Sequence, residues 1–321
     1  MRVAVLLLNH DQWELTHMCL DSLYRSGGGV EILPLLIDND SAAEPPAWLN
    51  DYPGLRFRKL AENTGFATGN NRAFELMEPG EAPYTFILNN DATVEPGTVA
   101  RLTEFLEREP RAGIATPAVF FASKPDKVWS AGAVFKPTRM IYNQRFWPDR
   151  KSLPESPVKT AFATGCATMI RTELYRKLGG YRDEFFMYFE DSDLGIRVMR
   201  EGYDIWLIPD TGVYHHVSVS AGGVLSPFAI YYSLRNRIVL GNEILPLCHR
   251  LSFYAYLAGM VGSKTLVYPL KRKSALVPSM WKAVFDGFTR RLGARFRAAR
   301  PLRVAPGGSV GQESGKAAES R

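Results

Sequence analysis

Apolar residues follow two rhythms along this chain, and the switch between them marks where strand gives way to helix. Val3–Leu8 is an unbroken apolar run ended by Asn9, His10 and Asp11, as expected of a strand buried on both faces. Leu15, Met18, Cys19, Ser22 and Leu23 then recur at helical spacing until Gly27, Gly28 and Gly29 stop them. Ile32–Ile37 predicts a second strand despite Pro34, and Leu55–Leu60 a third. Asn63–Met77 reads as a loop leading into a helix, and Tyr84–Leu88 as a fourth strand. Pro96–Glu109 reads as a helix with Val99, Leu102, Phe105 and Leu106 on one face. The alternation predicts an α/β fold, with a mostly parallel sheet flanked by helices.

Beyond Gly113 the pattern turns irregular and strand-rich as far as Tyr142, and the proline-containing stretch Arg145–Lys159 reads as a surface loop. Thr160–Ile170 predicts a strand, Glu173–Leu178 a helix ended by Gly179 and Gly180, and Asp191–Glu201 another helix. Ile205–Ile208 and Val213–His216 read as two short strands. From Pro227 the signal is helical, and Pro306–Arg321 is a Gly/Ser/Ala-rich tail expected to be disordered. These signals divide the chain into a main domain over 1–240, a basic helical region over 241–303 and a tail over 304–321.

The polar clusters fall where such a sheet binds ligands, beyond the carboxyl ends of its strands. They are Asn9-His10-Asp11 after the first strand, Asp38-Asn39-Asp40 after the second and Asn89-Asn90-Asp91 after the fourth. No glycine-rich turn follows the first strand, which disfavours a dinucleotide-binding Rossmann domain. Asp91 suits a hard divalent cation that also binds diphosphate oxygens; the same tripeptide also reads as a strand-to-helix turn. Glu190, Asp191 and Asp193 open a helix after the aromatic stretch Phe185–Phe189. A carboxylate in that setting has a raised pKa and suits general-base work; the cluster also reads as a helix cap. His215 and His216 lie on a strand and point to opposite faces, so at most one of them reaches a given site; a lone histidine there also reads as a hydrogen-bonded structural residue.

Charge is unevenly placed. The net charge is +6, but Lys264–Arg303 holds eleven Lys/Arg against one acid, Asp286, leaving about −4 on the remainder. The partner of the C-terminal region is therefore anionic. Trp281, Phe285, Phe288, Leu292 and Phe296 step at helical spacing beside Lys282, Arg290, Arg291, Arg295 and Arg297. That pattern predicts a basic amphipathic helix on an anionic membrane surface, or a helix packed on the main domain with a basic edge. Nucleic acid is not expected, because the main domain is acidic and carries no recognition motif. Phe253–Leu270 is interrupted by Gly262, Ser263 and Lys264, and reads as a packed or interfacial helix rather than a span. Val3–Leu8 is too short for a secretory signal. The three scattered cysteines, Cys19, Cys166 and Cys248, fit neither a disulfide framework nor a zinc site, but do fit a reducing cytosol.

Taken in order, the motifs resemble those of the family 2 glycosyltransferases, especially the bacterial rhamnosyltransferase-like branch. The opening Val3–Leu23 is similar to that family's first strand and helix, LIDNDS (Leu36–Ser41) to its nucleotide-contacting segment and NTGFATGNNRAF (Asn63–Phe74) to its NxGFxxGNN loop. FILNND (Phe86–Asp91) is similar to its metal-binding segment. VWSAG (Val128–Gly132), the long run Ala163–Val198, VYHH (Val213–His216) and YYSLRNR (Tyr231–Arg237) follow in order, so the likeness spans roughly the first 240 residues.

The resemblance implies a GT-A type nucleotide-sugar-binding fold with a C-terminal helical extension. It also implies an inverting, metal-dependent transfer from a nucleotide-diphospho-sugar, UDP- or dTDP-linked with dTDP-rhamnose among the candidates. The acceptor would be a glycan or lipid-linked hydroxyl, and the setting the cytoplasmic face of the cell membrane, where bacterial surface polysaccharide is built. Asn9, Asp38, Asn39, Asn63, Gly65, Phe66, Asn70, Asn71, Asn89 and Asn90 would form the donor side, and Gly165 and Cys166 the place where donor and acceptor meet. Asp91 and His215 would hold the metal (Mn2+ or Mg2+), and Asp191 would be the base, supported by Glu190 and Asp193. Asn89 stands where the family often has a second acid, which leaves one carboxylate in the tripeptide. The alternative reading is a catalytically silent nucleotide-sugar-binding or scaffolding protein of the same fold.

Overall fold

The structure is a computed structural model and describes residues 1–26, 28–144, 147–216 and 225–295. In chain order its main elements open with β1 (Arg2–Asn9), α1 (Trp13–Ser26), β2 (Glu31–Asp38), β3 (Arg56–Lys59), α2 (Gly65–Phe74) and β4 (Tyr84–Leu88). Next come β5 (Ala92–Val94), α3 (Thr98–Arg108), β6 (Ala112–Phe121), β7 (Lys124–Ser130), β8 (Ala133–Lys136), β9 (Ile141–Gln144) and β10 (Val158–Thr160). The remainder are β11 (Ala167–Arg171), α4 (Thr172–Lys177), α5 (Glu190–Arg200), β12 (Asp204–His215), α6 (Pro227–Ile244), α7 (Leu247–Leu270) and α8 (Leu276–Phe288).

The main sheet runs β10-β12-β6-β11-β4-β1-β2-β3. Its β4-β1-β2-β3 half is parallel, whereas β11 enters antiparallel between β4 and β6. Alternation along β1 explains the layering. Val3, Val5 and Leu7 join a core with Leu20 and Leu23 of α1 and Leu102 and Leu106 of α3. Ala4 and Leu6 face the other way, toward Ala67 and Ala73 of α2 and Leu194 and Val198 of α5. Pro34 is tolerated inside β2 because pairing to β3 begins only at Leu35, so on that side Pro34 has no ladder to break.

Several expectations change. The strand read over Thr160–Ile170 is two short ones, β10 and β11, joined by the irregular stretch that carries Gly165 and Cys166. The two late strands are one strand, β12, whose register shifts between Ile208 and Gly212. That interruption broke the apolar run in the sequence. Asn89-Asn90-Asp91 leads not into a helix but into β5, which pairs with β12.

The C-terminal region is not separate from the main domain by packing. α6 runs across residue 240, and a third core joins Tyr231, Ile238, Phe253, Leu276, Met280 and Ala283 to Phe185 and Phe186. The amphipathic helix predicted through Phe296 stops at Phe288. Arg290 is left-handed (φ 53°) and Arg291 N–H donates to the Asp286 carbonyl (2.8 Å), which turns the chain out of the helix. Leu292 is partly buried beside the third core, while Phe296, Arg297 and the tail from Pro306 lie outside the described residues.

Candidate active site

β1 stands between β2 and β4, so three strand ends meet at one edge of the sheet. Asn9, opposite Asp38, is fully buried. Its Nδ2 donates to Asp38 Oδ1 (3.3 Å) and Ser41 Oγ (3.0 Å), and its Oδ1 accepts from Gln12 N–H (3.2 Å) and the Thr16 hydroxyl (2.9 Å). Asp38 Oδ1 also accepts from Ser41 N–H (3.2 Å) and the Ser41 hydroxyl, whereas its buried Oδ2 has no protein partner. A buried acceptor left unpaired is costly unless something satisfies it.

The loop before α2 is built on Asn39. Asn39 Oδ1 accepts from Thr64 N–H (2.9 Å) and the Thr64 hydroxyl (3.0 Å), and its Nδ2 donates to Asn63 Oδ1 (3.1 Å), which in turn accepts from Gly65 N–H (2.9 Å). Gly65 has φ 81°, and a Cβ there would sit 2.4 Å from the Phe186 carbonyl oxygen, so both backbone shape and space demand glycine. That carbonyl accepts from Phe66 N–H (2.6 Å) and Ala67 N–H (3.3 Å), tying the first turn of α2 to the segment before α5. Asn70 and Asn71, read from sequence as donor-binding, make hydrogen bonds within the protein. Asn70 Nδ2 donates to the Phe66 carbonyl (2.8 Å). Asn71 joins Tyr181, Asp183 and Tyr175 by bonds of 2.8–2.9 Å.

At the end of β4, Asn90 Nδ2 reaches back to the Thr16 hydroxyl (2.9 Å) and Asn9 Oδ1 (3.4 Å), joining this strand end to the first two. β5 then pairs with β12 so that His215 lies opposite Ala92, next to Asp91. His215 Nε2 is 3.1 Å from Asp91 Oδ1, an ion-pair distance without hydrogen-bond alignment, and 3.3 Å from Asn89 Nδ2. Burial works against a charged imidazole, but Cys166 and the Asp91 carboxylate outweigh it and raise the His215 pKa. Burial pushes the Cys166 thiol up, so Asp91 is the charge that His215 faces at neutral pH. Asn89 Oδ1, Asp91 Oδ1 and His215 Nδ1 are buried without hydrogen-bond partners.

These donors fit a hard divalent cation. They are oxygen and imidazole atoms, and no group of three or more His, Cys, Asp or Glu is gathered among the described residues. A metal held by so few protein ligands takes its remaining ligands from a diphosphate and water.

The carboxylate cluster completes the edge. Asn89 N–H donates to the Cys166 carbonyl (2.9 Å), and the neighbouring Gly165 N–H donates to Asp191 Oδ2 (3.3 Å). Asp191 is half-buried; burial raises its pKa against the opposing pull of the Gly165 N–H and Ser192. Glu190 is buried with Oε2 unpartnered, and burial, with the Asp191 charge beside it, raises its pKa well above the ordinary value. Asp193 belongs elsewhere: its carboxylate is held by Arg197 Nε (2.7 Å) and Arg182 Nη1 (3.5 Å), and Arg182 continues to Glu243 of α6. The structure thus brings Asn9, Asp38, Asn39, Asn63, Asn89, Asn90, Asp91, Gly165, Cys166, Glu190, Asp191 and His215 to one edge, and sets Asn70, Asn71 and Asp193 to scaffolding contacts.

The Glu190 environment has a consequence for stability. A carboxyl whose pKa is raised on folding holds its proton more tightly in the folded state, so stability falls as pH climbs above the ordinary value of 4.5. Glu190→Gln is therefore expected to melt at a higher temperature than wild type near about pH 8, with the difference closing toward about pH 4. Thermal melts at the two pH values check this; a gap that does not depend on pH counts against it.

Sequence reasoning did not single out four residues here. Ser41 lies inside a quoted motif but acts by fixing Asp38, and Thr16 sits mid-helix as a hydroxyl bridge. Phe186 acts through its backbone carbonyl, which no side-chain pattern reveals. Tyr181 is buried with an unpartnered hydroxyl, 3.7 Å from where a Cβ on Gly165 would lie.

A mixed sheet whose carboxyl edge gathers buried acceptors, a carboxylate–histidine pair and an acidic helix start is the GT-A type of fold. The chain belongs to glycosyl transferase family group 2, whose model matches residues 84–288. It is 28% identical over 217 residues to the N-acetylglucosaminyl-diphospho-decaprenol L-rhamnosyltransferase of Mycobacterium tuberculosis, covering 59% of this chain and 67% of the relative. Among solved structures it is similar to Staphylococcus aureus TarS 1–349 in complex with UDP-GlcNAc, with TM-score 0.59 and 16% identity over 90% of this chain and 81% of that one. It is also similar to GalNAc-T7 with UDP, GalNAc and Mn2+, with TM-score 0.59 and 13% identity over 90% of this chain but only 57% of that one.

Proposed function

We propose that this chain moves a sugar from a UDP- or dTDP-linked donor, dTDP-rhamnose among the candidates, to an acceptor hydroxyl with inversion, in bacterial surface-glycan synthesis. The observation that carries the reading is the row of buried, unpaired acceptors along one sheet edge, ending at the half-buried Asp191. Asp38 would take a hydroxyl or N–H of the nucleoside through Oδ2, and Asn39 holds the Asn63–Gly65 loop against it. Asp191 would take the acceptor's proton as its oxygen bonds to the anomeric carbon and the bond to the diphosphate breaks, its electron pair leaving with the diphosphate. Gly165 N–H and Ser192 hold the Asp191 carboxylate in place for that transfer. Asp91, His215 and Asn89 Oδ1 would hold the divalent cation, which when bound supplies positive charge beside the diphosphate oxygens.

The test is a thermal-shift screen of nucleotide-sugars with and without Mn2+, followed by a transfer assay with the donor that binds. A ligand that binds only the folded state raises the melting temperature. No shift with any nucleotide-sugar, and no sugar transfer or donor hydrolysis, ends this reading and returns the chain to a scaffolding role.

The proposed partner of the C-terminal region is an anionic membrane surface supplying a lipid-linked acceptor. No helix among the described residues is long and apolar enough to cross a membrane. Leu266 and Leu270 of α7 (71% and 84% exposed) and Trp281 and Phe285 of α8 (51% and 54%) nonetheless stand in solvent, beside the exposed Lys271, Arg272 and Lys273 of the connecting turn. The docking face is therefore drawn from both helices, because α8 is shorter than the sequence stripe and buries Met280 and Ala283 against α6. Leu266→Ser with Leu270→Ser and Phe285→Ser is expected to weaken binding to anionic vesicles about tenfold or more. Raising salt should weaken the basic share, since exposed charges are screened beyond about 8 Å at physiological ionic strength. Vesicle flotation of the intact chain and the triple variant at two salt concentrations checks this, and equal flotation of the two proteins would remove the membrane from the proposal.

A further inference from the structure

One sequence motif that the site has not absorbed is YYSLRNR in α6, and at its centre lies a fully buried polar pair. Arg235 and Asn236 are both 0% exposed, and hydrogen bonds join them to each other and to backbone carbonyls. Asn236 Nδ2 points its two N–H bonds among three backbone carbonyls, Phe185 (2.9 Å), Met187 (2.9 Å) and Tyr188 (2.7 Å), so that one N–H is shared. Arg235 Nη2 donates to the carbonyls of Glu184 (3.2 Å) and Phe185 (2.9 Å), and Nη1 to that of Gly293 (2.7 Å). Arg235 Nε donates to Asn236 Oδ1 (2.8 Å), which fixes which way the Asn236 amide points.

The segment they hold has an unusual backbone. Phe186, Tyr188 and Phe189 have φ of 65°, 66° and 72°, a left-handed region that bulky residues rarely enter unless their surroundings fix it. The segment also has two outputs. The Phe186 carbonyl accepts from Phe66 and Ala67 at the start of α2, and Phe189 is the residue from which α5 begins, directly before Glu190 and Asp191. The carbonyls that a strained loop turns inward are those that Arg235 and Asn236 satisfy.

We infer that Asn236 and Arg235 are positioning residues for sugar transfer. They fix the backbone of 184–189 so that Asp191 stands over the Gly165 N–H while the α2 loop stays closed on the nucleotide side. The inference rests on the proposed transfer reaction and adds residues remote from the substrate to it. It also explains why α6 and the Gly293 turn, far along the chain from the strand-end motifs, belong to the same working unit. Gly293 N–H donates to the Glu184 carbonyl (2.8 Å), closing the clamp from the C-terminal side.

The experiment compares wild type, Asn236→Ser and Arg235→Lys as full-length proteins, by transfer kinetics and by amide hydrogen exchange. A small displacement of a reacting group costs about ten- to hundredfold in rate. Asn236→Ser should therefore lose about that much kcat while the donor KM stays within about threefold, because Asn39 still holds the nucleotide loop. Amides of 185–190 and of Phe66 and Ala67 should exchange faster, with exchange in α6 and α8 unchanged. Wild-type kcat together with wild-type exchange at 185–190 overturns the inference. So does loss of activity accompanied by loss of protection throughout α6 and α8, which would reduce the pair to core packing. If wild type itself transfers no sugar, the functional reading falls, and the exchange comparison still decides whether the clamp exists.

Discussion

Asp191→Asn is expected to lower transfer by about 10²–10⁴-fold while leaving nucleotide binding within a few-fold. The substitution keeps the shape of the side chain but removes its ability to accept a proton. Three carboxylates stand within four residues, and the structure separates them. Asp193 is paired with Arg182 and Arg197, so Asp193→Asn should act on stability more than on kcat. Glu190 is buried, with burial and the Asp191 charge favouring its protonated form, which suits it poorly to take up a further proton. Asp191 alone is half-open to the edge and held by a backbone N–H of the segment where donor and acceptor are proposed to meet. Its pKa is raised by burial, so wild-type kcat should climb with pH through a value above the ordinary 3.8 of an aspartate. The asparagine variant should lack that limb. A variant that turns over near the wild-type rate with the limb intact would move the base to Glu190.

How much of this was legible beforehand depended on whether the signal lay in side chains or in backbone. The parallel half of the sheet was readable because β1, β2 and β4 are short apolar runs closed by Asn and Asp, and those closures meet at one edge. The β11 insertion was not readable. An antiparallel strand buried between two others has the same apolar pattern as a parallel one, and Thr160–Ile170 gave no sign of the irregular turn at Gly165. His215 was placed on a strand and joined to Asp91 through the resemblance alone; the pairing of β5 with β12 is what sets the two side by side. Asn70 and Asn71 were read as donor-side residues, and no sequence pattern signals the bonds their side chains make within the protein. In the structure both amides are turned into the protein to fix α2. The amphipathic stripe ran on through Phe296 by spacing alone, because a left-handed residue such as Arg290 leaves no periodic signature.

Asp91→Ala is expected to abolish transfer at limiting metal and to slow it at least about a hundredfold at saturating metal, since charge stabilisation by a bound cation is worth several kcal/mol. The fold should survive the change. Removing Asp91 takes away an anion that favours the charged His215 imidazole, and burial then drives that ring to its neutral form instead of leaving an unpaired charge inside. His215→Ala should be milder at saturating metal, because Asp91 and Asn89 Oδ1 would remain. The same pair sets a pH dependence. The His215 pKa is raised, so at low pH a proton competes with the metal for the ring, and cation binding must release it. The metal concentration for half-maximal activity should therefore fall as pH rises, and this slope should flatten in His215→Ala. Metal titrations of activity at several pH values, for wild type and both variants after dialysis against EDTA, separate the possibilities. Full activity in excess EDTA would show that this sheet edge works without a cation, leaving Asp91 and His215 as an internal ion pair that ties β5 to β12.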